Sequence, residues 1–170
     1  MDIIKAPFLC LALGACHGDA DDAVSKPTRV HLNVPKGPSV SDQTRGMVDA
    51  AVVGSSKLAV TLKFDMKERP VLGRPLIIEI AVLPDVEGNP ATLGVSGGTG
   101  LEVAPEEAAI DLPALEAGQV YRQPVVVTPT TDGVLVLGLN VSIHHDDTVE
   151  SRAFSIPLIV DPPGKSTAAN

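Results

Sequence analysis

The feature that most constrains the fold is an alternation of apolar and polar residues in short segments, separated by turns rich in Pro and Gly. Every second residue is apolar from Leu58 to Met66, and again from Leu135 to Ile143. A period of two residues predicts β-strands with one buried face and one solvated face. No segment keeps a 3.6-residue period over three turns, so an all-β chain is predicted.

Further strands are predicted by shorter apolar segments between turn signals. They are Leu76–Val82, Leu93–Val95, Leu101–Val103, Ala109–Leu112, Val120–Thr128 and Phe154–Val160. About seven short strands with regular turns predict an antiparallel immunoglobulin-like β-sandwich over residues 57–161. The layout resembles the immunoglobulin-like modules of bacterial surface proteins, without the Cys–Trp–Cys core of antibody domains, because the chain has no Trp.

The first fifteen residues have the features of an export signal. Lys5 precedes the apolar run Ala6–Leu13, and small residues follow it. A charged start, a short apolar run and a small-residue site are typical of a secretory signal peptide. The run is far shorter than the roughly 20 residues that span a bilayer. Residues 1–15 are therefore predicted to be a signal peptide.

The residues Leu13-Gly14-Ala15-Cys16 resemble the lipobox of bacterial lipoproteins. The resemblance implies cleavage before Cys16, which becomes the lipidated N-terminus and the link to the membrane. It also implies the outer membrane of a Gram-negative cell, because His17 rather than Asp follows the cysteine. Two or more acyl chains give stable attachment, so no basic patch is required. Cys10 would leave with the signal peptide.

Residues 16–56 are predicted to form a flexible tether behind the lipidated cysteine, because polar stretches with Pro and Gly bury little apolar surface. Two segments within it are left open. Val30–Val34 alternates like a short strand that could dock on the domain edge, and 46–53 fits either a strand or a short helix. Residues 162–170 are expected to be a disordered tail.

Charge and aromatic content narrow the classes of partner. The 170-residue chain has a net charge of −8, and residues 57–161 contain 15 acidic and 7 basic side chains. This balance disfavours nucleic acid, whose binding requires Lys and Arg, and anionic lipid surfaces. Phe64, Tyr121 and Phe154 are the aromatic residues after the signal peptide. Because both Phe lie on apolar faces, only Tyr121 is left for stacking on sugars, and carbohydrate binding is disfavoured.

A cluster of potential metal ligands separates the last two predicted strands. His144, His145, Asp146 and Asp147 follow one another there, and imidazole and carboxylate groups bind divalent metals. Successive residues on a strand point to opposite faces, so the two His chelate together only if the turn reorients them. The alternative interpretation is a solvated hairpin tip, where Asp is common.

The segment Gly94-Val95-Ser96-Gly97-Gly98 matches the G-x-S-x-G pattern of hydrolase nucleophile elbows. Asp111 or Asp132, followed by His144, would complete a triad in the required chain order. The pattern requires a helix after the serine, and the residues that follow Ser96 predict a strand or loop instead. A Gly-rich hairpin is favoured, and no enzymatic activity is predicted.

The sequence thus predicts a non-catalytic, lipid-anchored cell-envelope protein. Its β-sandwich is expected to bind another protein or to act as a structural accessory, without a cofactor. The membrane would be reached through Cys16, and the identity of the protein partner is left open. The alternative function is binding of a divalent metal in the periplasm by His144–Asp147.

Overall fold

The computed structural model of the chain describes residues 38–145 and 148–162. These residues form ten β-strands, one short α-helix and one 3-10 turn. The helix α1 spans Val40–Gln43, and the turn spans Pro105–Glu107. The strands are β1 (Val48–Asp49), β2 (Ala51–Val53), β3 (Val60–Met66), β4 (Leu76–Pro84), β5 (Ala91–Gly97), β6 (Leu101–Val103), β7 (Ala109–Leu112), β8 (Tyr121–Pro129), β9 (Gly133–His145) and β10 (Thr148–Val160).

The strands form two antiparallel sheets of five strands each. Sheet 1 has the order β1-β3-β4-β8-β6, and sheet 2 has the order β2-β10-β9-β5-β7. The longest pairing joins β9 to β10 without a break in register, from His145 opposite Thr148 to Gly133 opposite Val160. The prediction of an antiparallel β fold is confirmed for the described residues, which are nearly all-β.

One hydrophobic core takes its side chains from both sheets. Every odd-numbered residue from Leu135 to Ile143 is buried, as is every even-numbered residue from Leu76 to Val82 and from Phe154 to Val160. All belong to a single cluster. Fully burying one such aliphatic side chain contributes about 1.5–3 kcal/mol, so the alternation fixes which face of each strand turns inward.

Residues 48–53, which the sequence places in the tether, are part of this fold. Val48 in β1 pairs with Phe64, and Val53 in β2 pairs with Ala153, so a short run contributes an edge to each sheet. Ala50 lies between the two strands, is buried, and donates its N–H to Leu62 O at 2.9 Å. Strand pairing therefore begins at Val48 rather than at the predicted boundary near residue 57, and the segment is a strand rather than a helix.

The helix α1 lies on the outward side of sheet 1. The Ser39 side chain caps it by accepting from Asp42 N–H at 3.2 Å. The Arg122 side chain, on the outward side of β8, donates to Gln43 O. Ala81 is the cross-strand partner of Arg122 and is fully buried, although it faces away from the core. The part of the outer surface of sheet 1 around Ala81 is therefore covered.

Candidate functional site

The outer face of sheet 2 carries no charged residue on its three central strands, β5, β9 and β10. Side chains alternate along a strand, and the alternate residues of β5, of residues 134–142 in β9 and of residues 151–159 in β10 that do not enter the core point outward. We call these residues the neutral face. They are Thr92, Gly94, Ser96, Val134, Val136, Gly138, Asn140, Ser142, Ser151, Ala153, Ser155, Pro157 and Ile159. None of them is charged or aromatic.

One end of the neutral face is apolar. Val134 and Ile159 are cross-strand partners that are 69% and 68% exposed, and Val136 and Pro157 form the next outward pair. We call these four residues the apolar end. Single exposed aliphatic residues are ordinary, but a contiguous patch with a polar border is typical of an interaction site.

The centre of the neutral face consists of small residues. Gly138 lies between Ser96 on β5 and Ser155 on β10. A Cβ atom at Gly138 would lie 2.6 Å from Ser96 Oγ, so a larger residue there would force the serine to move. The surface at this point is consequently low and flat, which allows a second backbone to approach closely.

The outer face of sheet 1 is charged. The Lys63 Nζ atom lies 2.6 Å from Asp49 Oδ1, and Lys67 forms an ion pair with Asp65. Asp65 is also the cross-strand partner of Glu79. A groove with a volume of about 610 Å³ lies on sheet 1 beside the Asp65–Glu79 pair. It is lined by Asp65, Lys67, Glu68, Pro75, Leu76, Ile77, Glu79 and Arg122. The two outer faces of the domain thus differ sharply in charge.

The outermost strands of both sheets are short. They contain two, three, three and four residues for β1, β2, β6 and β7. Residues 156–160 of β10 and residues 121–126 of β8 are two stretches that extend beyond these short edge strands. Unpaired edges of this kind are places where another strand can add to a sheet.

A proline occupies the open edge of β10. The Ser56 hydroxyl donates to Ser151 O at 2.6 Å, so the backbone of Ser151 points away from β9. Because the register with β9 is unbroken, the backbone N–H and C=O groups of the other odd-numbered residues of β10 also point away from β9. Pro157 is one of these residues. Pro157 thus removes a donor from the free edge and costs no bond to β9.

A proline occupies the open edge of β8 as well. Thr130 N–H donates to Gly100 O at 2.8 Å, on the side where β6 pairs. The backbone N–H and C=O groups of even-numbered residues of β8 point to that side. Pro124 is one of these residues, and β6 pairs only with residues 127–129. Prolines on edge strands disfavour pairing with an added strand. Binding by strand addition is therefore disfavoured at both open edges.

The structure describes part of the predicted metal cluster. His144 is exposed on the outward side of β9, and its backbone N–H donates to Pro90 O at 3.0 Å. Asp146, Asp147 and the side chain of His145 lie outside the described residues. No three His, Cys, Asp or Glu side chains that could hold a metal ion come together in the rest of the described chain.

The residues of the hypothetical hydrolase triad are not brought together. Ser96 lies within β5, directly opposite Gly138, rather than on a turn between a strand and a helix. His144 is six residues further along β9 than Gly138, which at about 3.3 Å per residue places it roughly 20 Å away. Asp111 pairs with Thr92 on the opposite end of β5 from Ser96. The elbow hypothesis has no support in this geometry.

The aromatic side chains have structural contacts. The Tyr121 hydroxyl donates to Ala114 O at 2.9 Å and accepts from Glu116 N–H at 2.8 Å, and this closes the loop before β8. Phe154 is buried in the core, and the half-buried Phe64 packs against the core cluster. The neutral face thus offers no ring on which a sugar could stack. The lipidation candidate Cys16 lies outside the described residues.

No family model matches the chain, and no curated protein matches it in sequence. Across residues 38–145 and 148–162, no helix has the length and apolar character needed to cross a bilayer. The neutral face is a site that sequence reasoning missed. Its signal was the pair Val134 and Val136, which are apolar at positions where the alternation predicts solvent.

Proposed function

We propose that the chain is a non-catalytic, lipid-anchored protein of the cell envelope. In this proposal Cys16 carries the lipid at the outer membrane, and the β domain is a protein-binding or structural accessory module. The observation that carries the proposal is the neutral face, an uncharged and partly apolar surface on a domain that is otherwise acidic. No cofactor is required.

The order of the strands supports the immunoglobulin-like class for this module. That class has strands A, B, E and D in one sheet and C, F and G in the other. In sheet 1, β3, β4, β8 and β6 follow the order A-B-E-D, and in sheet 2, β5, β9 and β10 follow the order C-F-G. The chain differs from the class in placing β6 before β7 and in adding β1 and β2 at the edges.

The composition of the neutral face supports a protein as the partner. Protein interfaces are depleted in charged residues at their centre, and this face has Gly138 and Ser155 at its centre and aliphatic residues at one end. Pro157 and Pro124 disfavour strand addition at two of the open edges, which favours a face as the binding surface. Acidic charge elsewhere would keep the tethered domain away from anionic headgroups.

The lipid anchor is tested by labelling with radioactive palmitate in a bacterium that processes lipoproteins. We expect label in the wild-type protein and none in Cys16→Ser. Cys10→Ser is the matched control, since it removes a thiol from the same segment and should still be labelled. Label in Cys16→Ser, or no label in the wild type, would contradict the anchor.

The binding role of the neutral face is tested by crosslinking in intact cells. A photoreactive amino acid placed at Ser155 lies on the neutral face, and one placed at Thr61 lies on the exposed outer face of sheet 1. We expect a discrete crosslinked species from position 155 and none from position 61. Equal crosslinking from both positions, or none from either, would contradict a specific protein contact there.

Binding of a divalent metal remains the second candidate function. The exposure of His144 near the end of β9, next to His145 and two Asp residues in sequence, favours it. Copper is the most sensitive probe because it binds nitrogen and oxygen ligands more tightly than the other divalent first-row metals. Calorimetry with the full chain should show copper binding that is lost in the double variant His144→Ala/His145→Ala and kept in His31→Ala. Absence of binding, or equal loss in both variants, would exclude this role.

A further inference from the structure

The distribution of charge limits what can lie against the neutral face. Residues 57–161 contain 15 acidic and 7 basic side chains, yet the outward positions of β5, β9 and β10 contain none. Asp111 on β7 borders the neutral face as the cross-strand partner of Thr92, and His144 is the next outward residue of β9 beyond it. A charged partner surface would lose hydration here without gaining a counter-charge, which is unfavourable. The partner must therefore present an uncharged surface.

One surface with this chemistry is present on the chain itself. We propose that the neutral face binds the neutral face of a second copy, so that two domains pack with their sheets 2 against each other. The proposal rests on the proposed function, because it names the partner of the protein-binding module. Charge favours this arrangement over others, since two acidic domains repel each other wherever their charged surfaces meet.

The geometry of the face fits a contact with twofold symmetry. In such a contact the same surface patch is used by both copies. A twofold axis parallel to the strands would place the apolar end of one copy on the apolar end of the other. Val134 and Ile159 would then leave solvent together in both copies, while the small residues at the centre let the sheets approach at about 10 Å.

The size of the face sets the expected strength. Three strands spaced by about 4.8 Å, with nine positions of the face on β9 and β10 and five on β5, cover at most roughly 14 by 30 Å, or on the order of 400 Å² in projection, and β2 and β7 extend this area. A standard interface buries about 800 Å² on each partner. We therefore expect a weak dimer in dilute solution. Attachment of both copies to one membrane would raise their effective concentration and favour the dimer.

The test measures association of the full chain carrying Cys10→Ser and Cys16→Ser, which has no thiol and accepts no lipid. Analytical ultracentrifugation between about 1 µM and 1 mM covers the affinities of small interfaces. We expect a reversible monomer–dimer equilibrium. Val134→Glu should weaken it at least about tenfold, since it places an unpaired charge in each half of the contact. Thr61→Glu makes the same change in charge on sheet 1 and should weaken it much less.

Cysteine crosslinking locates the contact by a second measurement. In the thiol-free chain, Val134→Cys should form a disulfide-linked dimer on mild oxidation, and Thr61→Cys should not. Because both side chains are exposed on strands, neither substitution is expected to prevent folding.

Three results would overturn the inference of a second copy. They are a monomer at every concentration, equal weakening by Val134→Glu and Thr61→Glu, and equal disulfide formation by the two cysteine variants. A monomer whose position 155 still crosslinks to a different protein in cells would remove the second copy and leave the proposed function standing. A monomer without any crosslink at position 155 would remove both.

Discussion

Val134 and Ile159 face each other across β9 and β10, and both leave more than two thirds of their surface in solvent. In the next pair of the register, Leu135 and Leu158 also face each other, and both are buried. The two pairs have similar chemistry and opposite environments. They contrast aliphatic residues that build the core with aliphatic residues that lie on the surface.

This difference in burial predicts that replacing Val by Thr has a small effect on stability at an exposed position and a large effect in the core. Val134→Thr keeps the branched shape at an exposed position, so we expect the free energy of unfolding of the dilute chain to change by less than about 0.5 kcal/mol. Val141→Thr places a hydroxyl in the core without a partner and should cost about 1–3 kcal/mol. Urea unfolding at a concentration below dimerisation measures both. Equal effects would mean that Val134 is not a surface residue.

The edge prolines predict a gain of self-association when one is replaced. Pro157→Val restores a backbone N–H to the open edge of β10 and keeps an apolar side chain of suitable shape for a strand. We expect faster aggregation on light scattering, because free hydrogen-bonding edges recruit further strands. Pro113→Val, in an exposed position after β7, is the control and should aggregate at the wild-type rate. No difference between the variants would show that Pro157 does not protect the edge.

The buried half of this fold was largely predictable from sequence, and the reason is visible in β9. A strand in an antiparallel sheet alternates between core and solvent, so the apolar residues at every second position from Leu135 to Ile143 predict which side chains are buried. Residues 48–53 were included in the predicted tether because the stretch around them is polar and contains Pro and Gly, and their own apolar pattern fits either a strand or a short helix. What the local pattern lacks is the register that pairs Val48 with β3 and Val53 with β10.

The neutral face could not be assembled from sequence for a related reason. Each strand shows its own outward residues, but only the register places Ser96 beside Gly138 and Gly138 beside Ser155. These pairings bring together residues that are 42 and 17 positions apart in the chain. The hydrolase hypothesis lacks support for the same reason, because Ser96 and His144 match a motif in their order along the chain but are far apart in space.

The hydroxyl of Tyr121 predicts a measurable contribution to stability. It bonds to Ala114 O and Glu116 N–H and thereby holds the loop before β8. Tyr121→Phe removes both bonds and keeps the ring, so we expect a loss of about 1–2 kcal/mol in the free energy of unfolding. Ser96→Ala, which removes a hydroxyl with a single long contact to Gly138 O, should cost less. If Tyr121→Phe has the wild-type midpoint in urea, the loop does not depend on this side chain.

The loop before β5 predicts a strong effect at a single glycine. Gly88 exchanges two backbone hydrogen bonds with Leu115, at 3.1 and 2.7 Å, and this brings its Cα against the core. A Cβ atom at Gly88 would lie 2.1 Å from Ile143 Cγ2, a buried side chain with little freedom to move. We expect Gly88→Ala to cost about 1–3 kcal/mol, the range found for overpacking. Gly94→Ala is the matched control, because its Cβ would meet its nearest atom at an ordinary 3.6 Å. Thermal unfolding of both variants decides the point, and equal melting temperatures would mean that Ile143 and the loop adjust without cost.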